Sequence, residues 1–315
     1  MKQKLASIVP VVLAASVLAS CGSSNSTDAD STQLSTLAWI DRDGRVEPID
    51  IPPRTYIYAQ LSPDGTRIAL NSRDETSDIW ILDLQSEGLR RLTPDLTPNI
   101  GPLWAPDGRL AYTRVINGTQ EIVLQAADGS APAEQLSILS DDNKYPTSFS
   151  SDGRTLIFHT STFGYDMWSL SLEGESRTNR QLLTSQFRET NGVLSPNDRW
   201  LAFESDESGQ LEIYVSSYPD VDSARVQISV DGGSRPHWHP GGSELIYIDQ
   251  HEAEESGAMM AVPFDADSGV ASGSPQMLFE GNFHSPVQGQ GRQLYDISED
   301  GRRFLMIRRS SQREN

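Results

Sequence analysis

The chain has 315 residues, 44 acidic and 25 basic side chains, and a net charge of −19. An acidic surface of this size repels nucleic acid and anionic lipid faces, which excludes both as broad partners and keeps the chain in solution. Cys21 is the sole cysteine, so no intramolecular disulfide can form even in an oxidising compartment.

The first residues read as a targeting segment. Lys2 and Lys4 precede the apolar run Leu5 to Ser20, which is shorter than the roughly 20 residues a spanning helix needs. Residues 1–20 are therefore expected to be a secretory signal. The run ends in Leu18-Ala19-Ser20-Cys21, which resembles a bacterial lipobox and makes Cys21 the expected lipidation site. Residues 21–35 have almost nothing to bury and are expected to form a flexible tether. In a Gram-negative host, Gly22 after the lipidated cysteine resembles the signal for the outer membrane, so an exported lipoprotein on its periplasmic face is expected. The lipid alone would then hold the protein at the membrane.

Residues 36–310, followed by a tail at 311–315, are long enough for one large all-β domain or two smaller ones. Repeats decide between them. The stretch Leu61-Ser-Pro-Asp-Gly65 returns as Trp104-Ala-Pro-Asp-Gly108, Phe149-Ser-Ser-Asp-Gly153, Leu194-Ser-Pro-Asn-Asp198, Trp238-His-Pro-Gly-Gly242 and Ile297-Ser-Glu-Asp-Gly301. Counted from Ser62, the intervals are 43, 45, 45, 44 and 59 residues. A period in the forties with short apolar strands between turns predicts a β-propeller with one four-stranded blade per repeat. The longer last interval places an insertion around Asp265 to Ser285.

Within each repeat, the residues before the turn predict an inner strand, and Asp-Gly supplies the positive φ of a tight hairpin. Alternation such as Arg67-Ile-Ala-Leu70 predicts the second strand. The third follows at Asp78-Ile-Trp-Ile81, Glu121-Ile-Val-Leu124, Asp166-Met-Trp-Ser169, Glu212-Ile-Tyr-Val215 and Ala258-Met-Met-Ala261. A polar outer strand such as Leu89 to Thr93 completes the blade. The sixth turn lacks a third strand behind it, and Leu37-Ala-Trp-Ile-Asp41 matches the missing pattern at the other end of the chain. The expected architecture is a closed ring of six blades, the last taking two strands from each terminus, so that no sheet edge is left open.

These turns resemble the TolB-type, WD-like repeats of bacterial propellers, whose usual form is a proline, a spacer, an aromatic and then Ser-Pro-Asp-Gly. Pro102 to Gly108 and Pro236 to Gly242 keep most of it. Leu37 to Arg45 and Tyr295 to Met306 look like the propellers fused to some bacterial serine/threonine kinases. The chain carries neither kinase catalytic motifs nor the Gly-x-Ser-x-Gly elbow of the hydrolases that accompany related propellers. The resemblance implies a non-enzymatic monomer, without cofactor, that recognises a protein, peptide or envelope polymer. The alternative is a propeller lyase or hydrolase acting on a polysaccharide or small ligand in the channel.

Candidate site residues follow from the architecture. The connections entering the inner strands gather on one face around the channel, where loops carry side chains with little structural duty. Tyr56, Tyr58, Asn99, Tyr145, Arg188, Asn191, Arg235, His237 and Arg292 are the expected binding residues there, aromatic and Arg side chains being the types enriched at binding hot spots. His237 and His239, two apart on one strand, could share a metal; the competing reading puts His239 at a hairpin turn. His251-Glu-Ala-Glu-Glu255 lacks a second histidine and reads as an acidic loop, and Asp41-Arg-Asp-Gly44 and Asp206-Glu-Ser-Gly209 read as hairpins and not as calcium loops.

Overall fold

The computed structural model describes residues 34–136, 142–161, 165–174, 177–249, 256–282 and 293–309. Cys21, the expected signal segment, His251 to Glu255 and Arg292 lie outside them. The described residues contain no helix. They form six antiparallel sheets, each a blade.

Blade 1 runs Tyr56–Leu61, Arg67–Arg73, Ser77–Asp83, Leu89–Arg91 from channel to rim. Blades 2, 3 and 4 repeat the order from inner strands Asn99–Trp104, Lys144–Phe149 and Glu189–Leu194. Blade 5 starts at Ser234–Trp238, and its third strand, Ser256–Asp265, pairs with both Gln276–Asn282 and the short Val270–Ala271. The insertion is thus a hairpin extension of that strand. Its Phe264 packs edge-on against Trp200 at 5.9 Å and Trp238 at 4.9 Å.

Blade 6 closes the ring. Its inner pair, Tyr295–Ile297 and Arg303–Arg309, is followed outward by Ser35–Asp41 and Val46–Arg54. Trp39 faces Leu305 and Ile40 faces Phe304 across the seam.

The recurring turn has a chemical cause. The Ser62 hydroxyl donates to Asp64 Oδ1, which also accepts the Thr66 amide, while Ser62 Oγ accepts the Arg67 amide. Ser150 with Asp152 and Ser298 with Asp300 repeat this latch, and Ser195 with Asn197 makes its uncharged version. The Ser62 hydrogen bond, then those of Thr66, hold the Asp64 carboxyl down at about 2. Gly65, at φ +65°, ends the turn in the left-handed region where a Cβ is disfavoured.

The core lies between blades. Leu37 and Leu305 of blade 6 pack with Tyr56, Ile68, Leu70 and Leu82 of blade 1, and five further apolar clusters bridge the other neighbouring pairs. Hydrogen bonds near the channel reinforce the ring: Gln60 Oε1 accepts the Trp104 amide, Ser148 Oγ the Leu194 amide, and Asp296 Oδ2 the Leu61 amide.

Candidate functional site

Every inner strand from blade 1 to blade 5 breaks its register once, between Tyr56 and Tyr58, Ile100 and Leu103, Pro146 and Ser148, Thr190 and Val193, and Ser234 and His237. Such bulges re-aim side chains. Four residues before each turn the chain carries Tyr58, Gly101, Pro146, Asn191 and Arg235, and three of these, Gly101, Asn191 and Arg235, have φ of +63°, +53° and +57°. The non-glycine pair is strained backbone, a state that persists only where its surroundings enforce it.

Those surroundings come from the second strand of blade 4, Trp200–Ser205. Glu204, 2% exposed, accepts three hydrogen bonds, from Thr190 Oγ1 at 2.9 Å, Asn191 Nδ2 at 2.6 Å and the Arg235 amide at 2.6 Å. It therefore ties the blade 4 bulge to the blade 5 bulge, and its buried charge is met by donors. Asn71 plays the matching part in blade 1: its Oδ1 accepts the Gly101 amide and its Nδ2 donates to the Asn99 carbonyl.

The bulges surround a small cavity along the channel. Tyr58, Gly101, Pro146 and Asn191 contribute to its wall, joined by Gln60, Pro102, Leu103, Thr147 and Gln293. Tyr58 and Asn191 are the expected binding residues that it brings together. Gln60, Pro102, Pro146, Thr147 and Gln293 were not among the candidates; their offsets of two to five residues before a turn are the signal that could have found them.

The other candidates lie elsewhere. Tyr56 is buried, donates its hydroxyl to the Pro52 carbonyl, and has its pKa pushed up to about 12 by burial. Asn99 is fully buried, with Nδ2 donating to the Thr97 carbonyl. Tyr145 is buried and stacks on His159 at 5.2 Å. Tyr58 and Asn191 are also buried, because these positions lie within the inner strands and not in the connections that lead into them. Arg188 and Arg235 are half-buried, and Arg188 lies over the Tyr165 ring at 5.2 Å. On the same face, the connections after blades 1 and 4 expose Leu96 and Val230 at 85% and 74%.

His237 Nε2 lies 3.0 Å from Asp296 Oδ1, and Nδ1 lies 2.9 Å from the Trp238 carbonyl. Burial lowers its pKa, but the Asp296 hydrogen bond and charge, with the Trp238 carbonyl, outweigh it and hold the imidazole above its ordinary value. His239 instead accepts the Gly241 amide at Nδ1 and rests against Gly301 in the blade 6 turn. Both nitrogens of His237 are thus engaged, and His239 is turned onto a hairpin, as the competing reading had it. Among the described residues, no group of three or more His, Cys, Asp or Glu side chains is placed to hold a metal.

The TolB beta propeller domain family, PD40, matches residues 54–199. An uncharacterized protein of Agrobacterium fabrum is 25% identical over 203 residues, 60% of this chain and 68% of its own length. A solved protein of Agrobacterium tumefaciens assigned to TolB superposes with a TM-score of 0.70 at 18% identity, covering 89% of this chain and all of that one. TolB from Acinetobacter baumannii gives 0.58 at 14%, covering 89% of this chain and 64% of that one. The closed ring and latched turns make the chain a six-bladed β-propeller, whose residues 54–199 match the TolB beta propeller domain family.

Proposed function

We propose that this chain is an exported lipoprotein, anchored through Cys21, whose propeller is a non-enzymatic binding scaffold for a protein, peptide or envelope polymer. The observation that carries the reading is the channel cavity, with strained, preorganised bulges held from behind by Glu204 and Asn71. Preorganised walls lower the ordering cost of capture. TolB-type propellers generally interact with proteins, which supports a protein partner on the face that exposes Leu96 and Val230 around Arg188.

The test is capture from envelope extract by the full chain carrying Cys21→Ser, with Arg188→Ala and Arg235→Ala as the contrasting variants. A specific component retained by the first and lost by the second is expected. Retention unchanged by both substitutions refutes the proposed face, and a polysaccharide fragment released shortened or unsaturated replaces the reading with lyase or hydrolase chemistry. Cys21→Ser itself is expected to move the protein from membrane to soluble fractions; unchanged fractionation contradicts the lipid anchor.

A further inference from the structure

We infer that the Arg235 guanidinium receives a single carboxylate, an Asp or Glu side chain on a peptide segment of the partner; this rests on the binding role proposed above and names the chemistry of one contact in it. Arg235 is the second residue of the blade 5 inner strand, Ser234–Trp238, and stands at φ +57°, where blade 2 places Gly101 at φ +63°. Three hydrogen bonds hold the main chain there from both neighbouring blades. The Arg235 amide donates to Glu204 Oε1 in blade 4, its carbonyl accepts the Tyr295 hydroxyl of blade 6, and the following carbonyl, of Pro236, accepts Gln293 Nε2 from the chain entering blade 6. None of the three uses the side chain. A glycine would keep all of them without strain, so they account for the backbone and not for the arginine.

The guanidinium has no counter-charge. In a chain with 44 acidic side chains, Arg42, Arg54 and Arg225 meet carboxylates at 2.9, 2.7 and 2.7 Å. Among the described residues the Arg235 side chain meets none, and it makes no hydrogen bond or ring contact. Its Nη1 is shut away from solvent, whereas Nε and Nη2 are not. The half-buried side chain therefore presents its Nε–Nη2 edge, whose two parallel N–H bonds match the two oxygens of a carboxylate. A guanidinium already partly stripped of water gains more from such a pair than a fully exposed one does. The net charge of −19 sets how much anion is tolerated. Its field is screened beyond about 8 Å at physiological ionic strength, so one carboxylate in contact is attracted, while a phosphate dianion or a polyuronate adds repulsion that one arginine does not offset. The exposed Leu96 and Val230 on the same face suit a peptide segment as the carrier.

The test is a titration of the full chain carrying Cys21→Ser, read by NMR at the arginine Nε–H signals, with the Arg235 signal assigned by its loss in Arg235→Lys. Acetyl-glutamate amide is expected to shift that signal saturably with a Kd on the order of 10 mM, and acetyl-glutamine amide, its uncharged twin, to bind about tenfold more weakly or worse. Arg235→Gly is expected to abolish the saturable response of the neighbouring backbone amides, while its melting temperature stays or rises by up to about 3 °C as the strain at φ +57° is released. No saturable shift by about 100 mM of the glutamate probe, equal binding of its uncharged twin, or tighter binding of methyl phosphate or galacturonate overturns the inference. So does an Arg235→Gly protein that fails to fold or melts about 5 °C or more below wild type, since the arginine would then be a structural part of the blade. If envelope capture survives while the glutamate probe fails, only the carboxylate contact falls; if the Cys21→Ser chain captures nothing, the binding role falls whatever the probe does.

Discussion

The closed ring makes a prediction that an open stack of blades does not: damage at the N-terminal strand should loosen the C-terminal one. Leu37→Ala is the perturbation. Leu37 is fully buried and sits in the cluster that joins blade 6 to blade 1, with Leu305 on one side and Ile68, Leu70 and Leu82 on the other. Removing a buried leucine down to alanine costs about 3 to 5 kcal/mol, the transfer loss plus the cavity left behind. For a fold of about 250 residues the unfolding entropy is about 0.5 kcal/mol/K, so the melting temperature should fall by about 5 to 10 °C. Because Leu37 pairs with Ile307 and Trp39 with Leu305, hydrogen exchange should accelerate across Arg303–Arg309 before it accelerates in blades 2 and 3. Leu96→Ala, at a side chain 85% exposed, should leave both readouts unchanged. A Leu37→Ala protein that melts with wild type, or whose exchange quickens only within Ser35–Asp41, would refute ring closure as a source of stability.

Three further outcomes follow from local chemistry. His237 is held above its ordinary pKa by Asp296, so its contribution to stability is full below about 6.5 and is lost as pH rises through the folded value; His237→Gln should flatten the decline of melting temperature above pH 6.5, and an unchanged slope would count against the pair. Asp64, Asp152 and Asp300 are held below the usual carboxylate range, chiefly by their turn serines. Their contribution is present above about 3.9 and lost as pH falls through each folded value, about 2 for Asp64; replacing all three by Asn, on the pattern of Asn197, should make the acid-side loss shallower. Gly269→Ala should destabilise by about 3 kcal/mol or more, since φ is +72° and the new Cβ would lie 1.8 Å from the Trp200 ring. Gly65→Ala, at φ +65° with open space around it, should cost only about 1 to 2 kcal/mol; equal melting shifts for the two would show that the insertion is not clamped on Trp200.

The ring was legible because each blade repeats a local chemical demand. In four of the six, at Ser62, Ser150, Ser195 and Ser298, a hairpin with a hydroxyl at its first position, a carboxylate or amide two residues on and then a positive φ leaves the same letters. Closure was legible for a related reason: Leu37 to Asp41 has the alternation of a third strand, and although Val46–Arg54 pairs with its outer side, its inner side has no partner until Arg303–Arg309 arrives. The site was only half legible. Reading the connections into the inner strands brought Tyr58 and Asn191 among the candidates, but the bulge in each inner strand of blades 1 to 5 shifts register there, and a one-residue shift reverses which side chains face inward. The residues that hold the bulges are further from view. Asn71 reaches the Gly101 amide across 30 residues and Glu204 the Arg235 amide across 31, distances at which no local pattern links them.

The repeats also serve as an internal comparison, six versions of one blade within a single chain. Immediately before the turn stand Leu61, Trp104, Phe149, Leu194, Trp238 and Ile297, uniformly large and apolar. This position feeds the packing between blades, where volume and apolarity are both required. Four residues before the turn stand Tyr58, Gly101, Pro146, Asn191, Arg235 and Leu294, which share neither size, charge nor preferred backbone region. If the channel asked only for structural filling, the ring would demand similar residues here as it does three positions later. Instead two non-glycine residues carry the strain of positive φ, and a buried carboxylate is committed to holding both of their segments in place. Strain kept by such an arrangement serves the shape and polarity of the channel wall and not the stability of the blades, so recognition is to be sought at the channel and the face around its mouth.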